Sequence, residues 1–378
     1  MKAIAFLFGA GVSIPACMPS TKDLTKEILC DYDKWCISND AWAKYQTVES
    51  FKNRYSGNLP DQKDIYEIGN FLHKVHSLLT NYFDDVADIT YEDIYDALYQ
   101  IRGHISKDFR NPLIKPFLKD WKEMCENPNY TLIVESLKFI EDVVRYRLLS
   151  NGRKAVLSPL IKIINTKQSD SIHIFTLNFD TLIEELLRNK GFEYCDGFTL
   201  PLYNNQVNLW QMESLMNNNI RVKLYKLHGS LDRECICGGD YHNQIVRIIN
   251  LMEDYPYFKF GGKERVYGRD TELMGISNKL LSYNYGIYLD LIGLFNLNLK
   301  ECKTLIISGY SFSDYGINLR ISDWMARTKD SRIIFIDPYS ETTLKKSRGA
   351  IYSQFENWVK EKRMIIKNEK FQNWDAKL

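Results

Sequence analysis

No uninterrupted apolar run in this 378-residue chain approaches the ~20 residues that a membrane-spanning helix requires, so no association with a membrane is expected. No sign of charge dominates either. Forty-nine Lys and Arg stand against 48 Asp and Glu, a formal net charge of +1, and bulk attraction to nucleic acid is not expected. The eight cysteines, Cys17, Cys30, Cys36, Cys125, Cys195, Cys235, Cys237 and Cys302, are scattered. In so long a chain they make no disulfide framework and suit a reducing cytosol, so the chain is expected to be cytoplasmic. Internal repeats and low-complexity tracts are missing too. What remains is ordinary globular composition, 45% hydrophobic and 26% charged, with aromatics (24 Tyr, 19 Phe, 7 Trp) enough for a large core or a protein interface. The length admits two domains, or one fold with large insertions.

Short apolar runs bounded by Gly, Asn or Asp read as strands: Ala3–Phe8, Ile172–Leu177, Val222–Leu227, Thr304–Ser308, Arg332–Ile336 and Arg363–Ile366. Their near-continuous apolar character predicts strands covered on both faces, as in a parallel sheet. Helical patterns follow several of them. One runs from Thr181 to Asn189, opens on a Thr181…Glu184 capping box and stops at Gly191. The alternation predicts an α/β fold, a Rossmann-like doubly wound parallel sheet. Between about residues 30 and 165 no strand is expected. Helical patterns at Ile65–Thr80, Tyr91–Gly103, Leu113–Cys125 and Leu132–Leu149 predict a helical insertion there. The expected organisation is a core of 1–28, 166–232 and 302–378, a helical insertion at 29–165 and a second insertion at 233–301. The second insertion holds a Gly- and aromatic-rich loop at Tyr255–Arg265. After Asp337 the tail is expected to be helical from about Glu341 to Glu361.

The first residues, MKAIAFLFGAGVSIPAC, admit two readings. A lysine, an apolar run and a small residue before Cys17 outline an export signal. The same letters outline a strand entering a phosphate-binding turn at Gly9-Ala10-Gly11-Val12-Ser13, where glycines let the backbone approach a pyrophosphate and the next helix aims its N–H groups at it. The third glycine of the dinucleotide fingerprint is lacking, since Pro15 and Ala16 stand in that region, and a tight ligand-free turn remains open. The export reading would discard the first core strand. It also has only one lysine, with Pro15 directly before Ala16-Cys17, so the strand-and-turn reading is preferred.

Other polar turns follow the other strands. Thr176-Leu177-Asn178-Phe179-Asp180 places a donor–acceptor amide and a carboxylate two apart at a strand end; alternatively, Asp180 or Thr181 only caps the helix. Lys226-Leu227-His228-Gly229-Ser230 offers a histidine suited to act as a general base, or a partly buried structural one. His73, His76, His104, His173 and His242 lack such a setting, and no acidic partner completes a metal site around His73 and His76. Ser308-Gly309-Tyr310-Ser311-Phe312-Ser313-Asp314 suits phosphate or ribose contacts. Asp337 suits a ribose hydroxyl, or simply a turn with Pro338. All these turns fall on one edge of one sheet, where open α/β sheets bind ligands.

GAGVS, TLNFD, KLHGS and SGYSFSD in this order resemble the sirtuin-like family, in wording closer to its divergent bacterial members than to the protein deacylases. The resemblance covers roughly 1–28, 170–232 and 302–340. It implies that Gly9, Ala10, Gly11 and Ser13 cradle the phosphates of NAD, that Asn178 and Asp180 hold the nicotinamide ribose and carboxamide, and that His228 is the catalytic base. It also implies that Gly309, Ser311 and Asp337 contact the adenosine half. Asn178 and His228 are then the catalytic pair. The bond chemistry agrees: the nicotinamide–ribose bond breaks through an oxocarbenium-like transition state and its leaving group is already cationic, so the site needs positioning and a base rather than an acid.

The deacylases' four-cysteine zinc site is not matched. Only Cys235-Ile-Cys237 lies in the corresponding region, with one residue between the thiols against two to four in usual zinc pairs, and no metal is expected. The resemblance points to an NAD glycohydrolase that depletes NAD during phage infection. Such proteins are controlled by homo-oligomerisation or by a partner protein, a HerA-like ATPase first and a short Argonaute second. A deacylase or ADP-ribosyltransferase, and a non-catalytic NAD- or ADP-ribose-binding assembly subunit, remain the alternatives.

Overall fold

The computed structural model describes residues 3–38, 41–44, 63–86, 89–108, 114–124, 130–149, 156–166, 169–202, 207–237, 243–248, 271–275 and 278–377. The loop at Tyr255–Arg265, His242 and Cys125 lie outside them. The chain divides into two compact units: residues 1–18, 151–273 and 279–378 form one, and residues 19–150 with 274–278 form the other.

The strands, numbered in chain order, are β1 (Ala3–Phe8), β2 (Trp35–Ser38), β3 (Ala41–Lys44), β4 (Ser171–Thr176), β5 (Tyr194–Cys195), β6 (Phe198–Leu202) and β7 (Val207–Trp210). They continue with β8 (Val222–Lys226), β9 (Arg233–Cys237), β10 (Asn243–Ile248), β11 (Cys302–Ser308), β12 (Arg332–Ile336) and β13 (Met364–Lys367). Seven of them build one parallel sheet in the order β13-β12-β11-β1-β4-β8-β5. From β1 the chain works outward through β4 to β5 and β8, then returns past β1 to lay β11, β12 and β13 on the other side. The strand order reverses between β1 and β11, the crevice position of doubly wound folds.

β1 is central and buried along its whole length. Its side chains alternate between two cores, as a strand's period of two requires. Ala3, Ala5 and Leu7 join Phe175, Tyr225, Leu305 and Ile307 under helices Gly286–Glu301 and Tyr315–Arg327. Ile4, Phe6 and Phe8 join Ile172, Ile174, Leu224 and Ile306 under helices Ser158–Asn165 and Leu182–Asn189. This is the two-sided cover expected from the apolar runs. Helix Gly286–Glu301, part of the segment read as a second insertion, thus packs into a core of the main sheet. A second, antiparallel sheet of order β6-β7-β10-β9 was not foreseen. Its strands are short, and β7 carries one buried and three half-buried side chains, too few to show alternation in the sequence.

In the second unit, helices Lys63–Leu79, Tyr91–Ser106, Lys115–Met124 and Tyr130–Leu149 follow the predicted periodicity. The expectation of no strand there is corrected by the β2–β3 hairpin. Trp35 and Trp42 both pack edge-on against Phe139, so the hairpin is held by aromatic packing onto a helix. The tail is not one helix but two, Ser340–Lys345 and Ala350–Lys360, interrupted at Gly349, whose φ of +64° a helix cannot contain.

Among the described residues no helix is long and apolar enough to cross a membrane, and no group of three His, Cys, Asp or Glu could hold a metal ion.

Candidate active site

Register places the candidate turns side by side. Phe8 pairs with both Thr176 and Ser308, Thr176 with Lys226, and Ser308 with Ile336. The turns that begin at Gly9, Leu177, Leu227, Gly309 and Asp337 therefore leave the sheet at one level.

The turn after β1 is not the entrance to an α-helix. It runs through two 3-10 turns, Ala10–Val12 and Ile14–Ala16, and the α-helix begins only at Thr21, capped by Ser20. The expectation that a helix dipole follows the glycines directly is corrected. The glycines also serve the protein itself. Gly9 N–H donates to Ser308 O and Gly11 N–H to Gly309 O, while Val12 N–H and Ser13 N–H donate to Gly9 O and Ala10 O. A β-carbon on Gly9 would lie 2.5 Å from Gly309 O, and one on Gly11 2.6 Å from Gly309 Cα. Gly309 itself has φ +65°. The turns after β1 and β11 interlock backbone to backbone, which only glycine permits. Ala10 stays exposed on this turn.

Ser13, Asn178 and Asp180 converge beneath it. Asn178 Nδ2 donates to Gly9 O (3.1 Å) and to Ser13 Oγ (3.0 Å). Ser13 Oγ donates to Asp180 Oδ2 (2.7 Å), and Asp180 Oδ1 accepts from Leu182 N–H (3.2 Å). Asp180 thus gives the first N–H of helix Leu182–Asn189 an acceptor from one residue before the N-cap, Thr181, whose own side chain makes no capping bond. The anticipated Thr181…Glu184 box is absent, since Thr181 Oγ1 donates instead to Glu185 Oε1 at 2.8 Å. Glu184 turns inward to Lys226 Nζ (3.0 Å), with both side chains buried. Burial raises the Glu184 carboxyl's affinity for a proton, and the Lys226 ammonium opposes that effect. Asn178 is buried, yet its Oδ1 meets no donor from the protein. A buried carbonyl without a donor costs about 1–3 kcal/mol, so this oxygen marks a place where a ligand hydroxyl, amide or water fits.

The next turn is stitched to this one. Leu231 N–H donates to Phe179 O (3.0 Å), and Lys226 Nζ donates to Asp180 O. In its middle, His228 is 4% exposed. Gly229, at φ +98°, lets the Thr271 carbonyl approach where a β-carbon would otherwise stand, and Leu273 N–H donates to His228 O at 2.7 Å. His228 Nε2 lies 2.7 Å from Tyr283 OH and 3.1 Å from Asp314 Oδ2, and Tyr283 OH donates to that same oxygen at 2.8 Å. Burial alone would raise the Asp314 carboxyl's pKa. The hydrogen bond and charge of His228, then Lys279 and the Ile317 N–H, outweigh burial and hold it well below the carboxylate range. Burial, Asp314 and Tyr310 push the Tyr283 phenol well above its ordinary range.

The structure thus gathers Gly9, Gly11, Ser13, Asn178, Asp180 and Gly309 into one hydrogen-bonded cluster, with the His228 turn beside it. Ser311 is exposed and its hydroxyl meets Ser313 (3.1 Å). Asp337 folds onto its own turn, where its Oδ1 accepts from Tyr339 N–H at 2.6 Å. Burial raises its pKa against that hydrogen bond. Sequence reasoning missed Tyr283, Thr271 and the role of Asp314. Asp314 stood in the SGYSFSD motif, but nothing in the sequence ties it to Tyr283.

The model of the SIR2-like domain family matches residues 172–358, from β4 through helix Ala350–Lys360. Comparison with curated protein sequences returns no match. Among solved structures, a complex of a triple-mutant Sir2 homologue with 2'-O-acetyl ADP ribose aligns over 95% of this chain and 91% of that chain, at 13% identity and a TM-score of 0.36. The family's match runs through TLNFD, KLHGS and SGYSFSD, so residues 172–358 are similar to a SIR2-like (sirtuin-like) domain.

Proposed function

We propose that this chain is an NAD glycohydrolase, cleaving NAD to nicotinamide and ADP-ribose as the NAD-depleting effector of a bacterial anti-phage system. A SIR2-like domain is an NAD-using fold, which supports NAD as the substrate. The observation that carries the reading is the unpaired, buried Oδ1 of Asn178 at the strand ends, beside the turn that bears His228. In the reaction the bonding pair of the ribose–nicotinamide bond leaves with the ring, which departs neutral. Water supplies the new C1′–O bond and surrenders a proton. Asn178 is suited to orient that water or a ribose hydroxyl, and His228 to take the proton. Gly9, Ala10, Gly11, Ser13 and Gly309 shape the crevice for the phosphates, and Ser311 and Asp337 border its adenosine side. The reading needs no metal. Its cellular setting is the cytoplasm, as a homo-oligomer regulated by a partner protein, a HerA-like ATPase before a short Argonaute.

Incubation of the purified protein with NAD, with and without the product of the neighbouring gene, should release nicotinamide and ADP-ribose together. Asn178→Ala and His228→Ala should each lower the rate at least about 100-fold, the scale of a lost acid–base group. NAD consumption only when an acyl-lysine or protein acceptor is added would replace hydrolysis with a deacylase or transferase. Binding without cleavage would make the chain an assembly subunit.

A further inference from the structure

Ser13, Asn178 and Asp180 are all buried, and the protons available among them fix the direction of every bond they make. The Asn178 amide presents Nδ2 at 3.1 Å from Gly9 O and at 3.0 Å from Ser13 Oγ. Gly9 O is a carbonyl and can only accept. Turning the amide over would set Oδ1 against that carbonyl with no proton between them, so Nδ2 belongs on this side. Both Nδ2 protons are then committed, and Ser13 Oγ receives one of them. The single hydroxyl proton of Ser13 is left for Asp180 Oδ2, 2.7 Å away, a distance that suits a hydroxyl bonded to a carboxylate. Donation therefore runs one way, from amide to hydroxyl to carboxylate, and bonds in such a chain strengthen one another. Backbone fixes where the chain begins and ends. Leu177 N–H donates to Phe8 O (2.9 Å), Asn178 N–H to Thr176 Oγ1 (3.1 Å) and Ser13 N–H to Ala10 O (3.0 Å), while Asp180 Oδ1 accepts from Leu182 N–H (3.2 Å). The amide oxygen, Asn178 Oδ1, is the end left buried without a donor from the protein.

We propose that Ser13 and Asp180 are positioning residues that lock the Asn178 amide, so that its oxygen and not its NH2 is the end offered to a ligand. The proposal rests on the reading of Asn178 as the residue that orients water or a ribose hydroxyl. The lock makes this point of the site a fixed acceptor, which takes an O–H or N–H and rejects a bare oxygen or a negative charge. An amide free to turn over would present donor and acceptor alternately and lose that discrimination. Asp180 acts two hydrogen bonds away from the offered oxygen, with its own oxygens turned to the Ser13 hydroxyl and the Leu182 N–H. This role differs from the direct hold on the nicotinamide half that the motif alone implies for Asp180.

Asp180→Asn changes the proton count while nearly keeping the shape. The new amide's carbonyl can still accept from Leu182 N–H. Its NH2 then donates to Ser13 Oγ, and the serine proton is driven back toward the Asn178 NH2, donor against donor. Ser13→Ala removes the link outright and serves if the first variant does not fold. The side-chain ¹H–¹⁵N signal of Asn178, identified in each protein by its loss with Asn178→Ala, reads the lock without any turnover. In the wild type its two protons should be slow to exchange with water, and in either folded variant they should exchange at least about 10-fold faster. The kcat/KM of nicotinamide release should fall at least about 10-fold in each variant, as misplacement of a positioned group does. Introduced into Asn178→Ala, the same two changes should cost at most about a further two-fold, because residues that act through Asn178 then have nothing to hold. Losses that multiply in full on the Asn178→Ala background overturn the proposal. A wild-type Asn178 amide that exchanges as fast as a free one, or a signal unmoved in a folded variant, also overturns it. Absence of nicotinamide release from the wild type overturns the hydrolase reading instead, while the Asn178 signal still decides whether Ser13 and Asp180 lock the amide.

Discussion

At Gly309 the backbone passes through φ +65°, and an added β-carbon would run into the backbone of Gly11 and Val12. Gly191 has nearly the same φ, +69°, but open space where its β-carbon would be. The two positions separate the cost of a left-handed backbone from the cost of forcing two turns apart. The first is about 1–2 kcal/mol for a residue with a side chain. Gly191→Ala should therefore lower stability by about 1 kcal/mol, and Gly309→Ala by about 3 kcal/mol or more, read from urea midpoints. Equal losses would mean that the turns after β1 and β11 do not depend on their close approach. The comparison also bears on how a glycine motif is read. GAGVS resembles a phosphate cradle in letters, yet Gly9, Gly11, Val12 and Ser13 already spend their N–H groups on protein carbonyls. Sequence shows that a glycine is required, and only the fold shows what it must approach.

Helix Leu182–Asn189 shows what periodicity conveys and what it hides. Its apolar Leu182, Ile183 and Leu187 are buried as the pattern implies, and its end at Gly191 is as read. Glu184 is buried among them, which no hydrophobic pattern announces, because its partner Lys226 ends a strand 42 residues onward. Lys226 Nζ meets Glu184 Oε1 and also the carbonyls of Phe179 and Asp180, so one ammonium ties the His228 strand to the Asn178 turn. Removing one member of a buried pair leaves the other uncompensated and costs about 3–5 kcal/mol. Lys226→Met should fall in that range by chemical denaturation. In a double-mutant cycle with Glu184→Gln, the paired variant should be more stable than the sum of the single losses by at least about 1 kcal/mol. Additive losses would show the two groups to be independent. The same distance in sequence explains why the strands and the motif order were legible while the second sheet and the Tyr283–Asp314 pair were not. Strand burial is written locally in apolar runs. A hydrogen bond from Tyr283 to Asp314, or the pairing of β7 with β10, depends on partners that local pattern does not encode.

For the whole molecule, the position of β1 settles how the first seventeen residues are to be treated. β1 lies between β4 and β11, parallel to both, and its turn supplies Gly9, Gly11 and Ser13 to the candidate site. Ile4, Phe6, Leu7 and Phe8 are buried, and at about 1.5–3 kcal/mol for each buried side chain their loss is comparable to the 5–15 kcal/mol that typically keeps a domain folded. The loss would exceed the side chains alone, because β4 and β11 would each be left with a row of unpaired backbone groups facing the gap. A chain lacking residues 1–17 should therefore be recovered insoluble or without a cooperative unfolding transition. The mass of the full-length protein isolated from cells should retain the segment through Cys17. A truncated chain that stays soluble, unfolds cooperatively and still releases nicotinamide would remove β1 from the centre of the fold, and with it the turn on which the crevice between β1 and β11 depends.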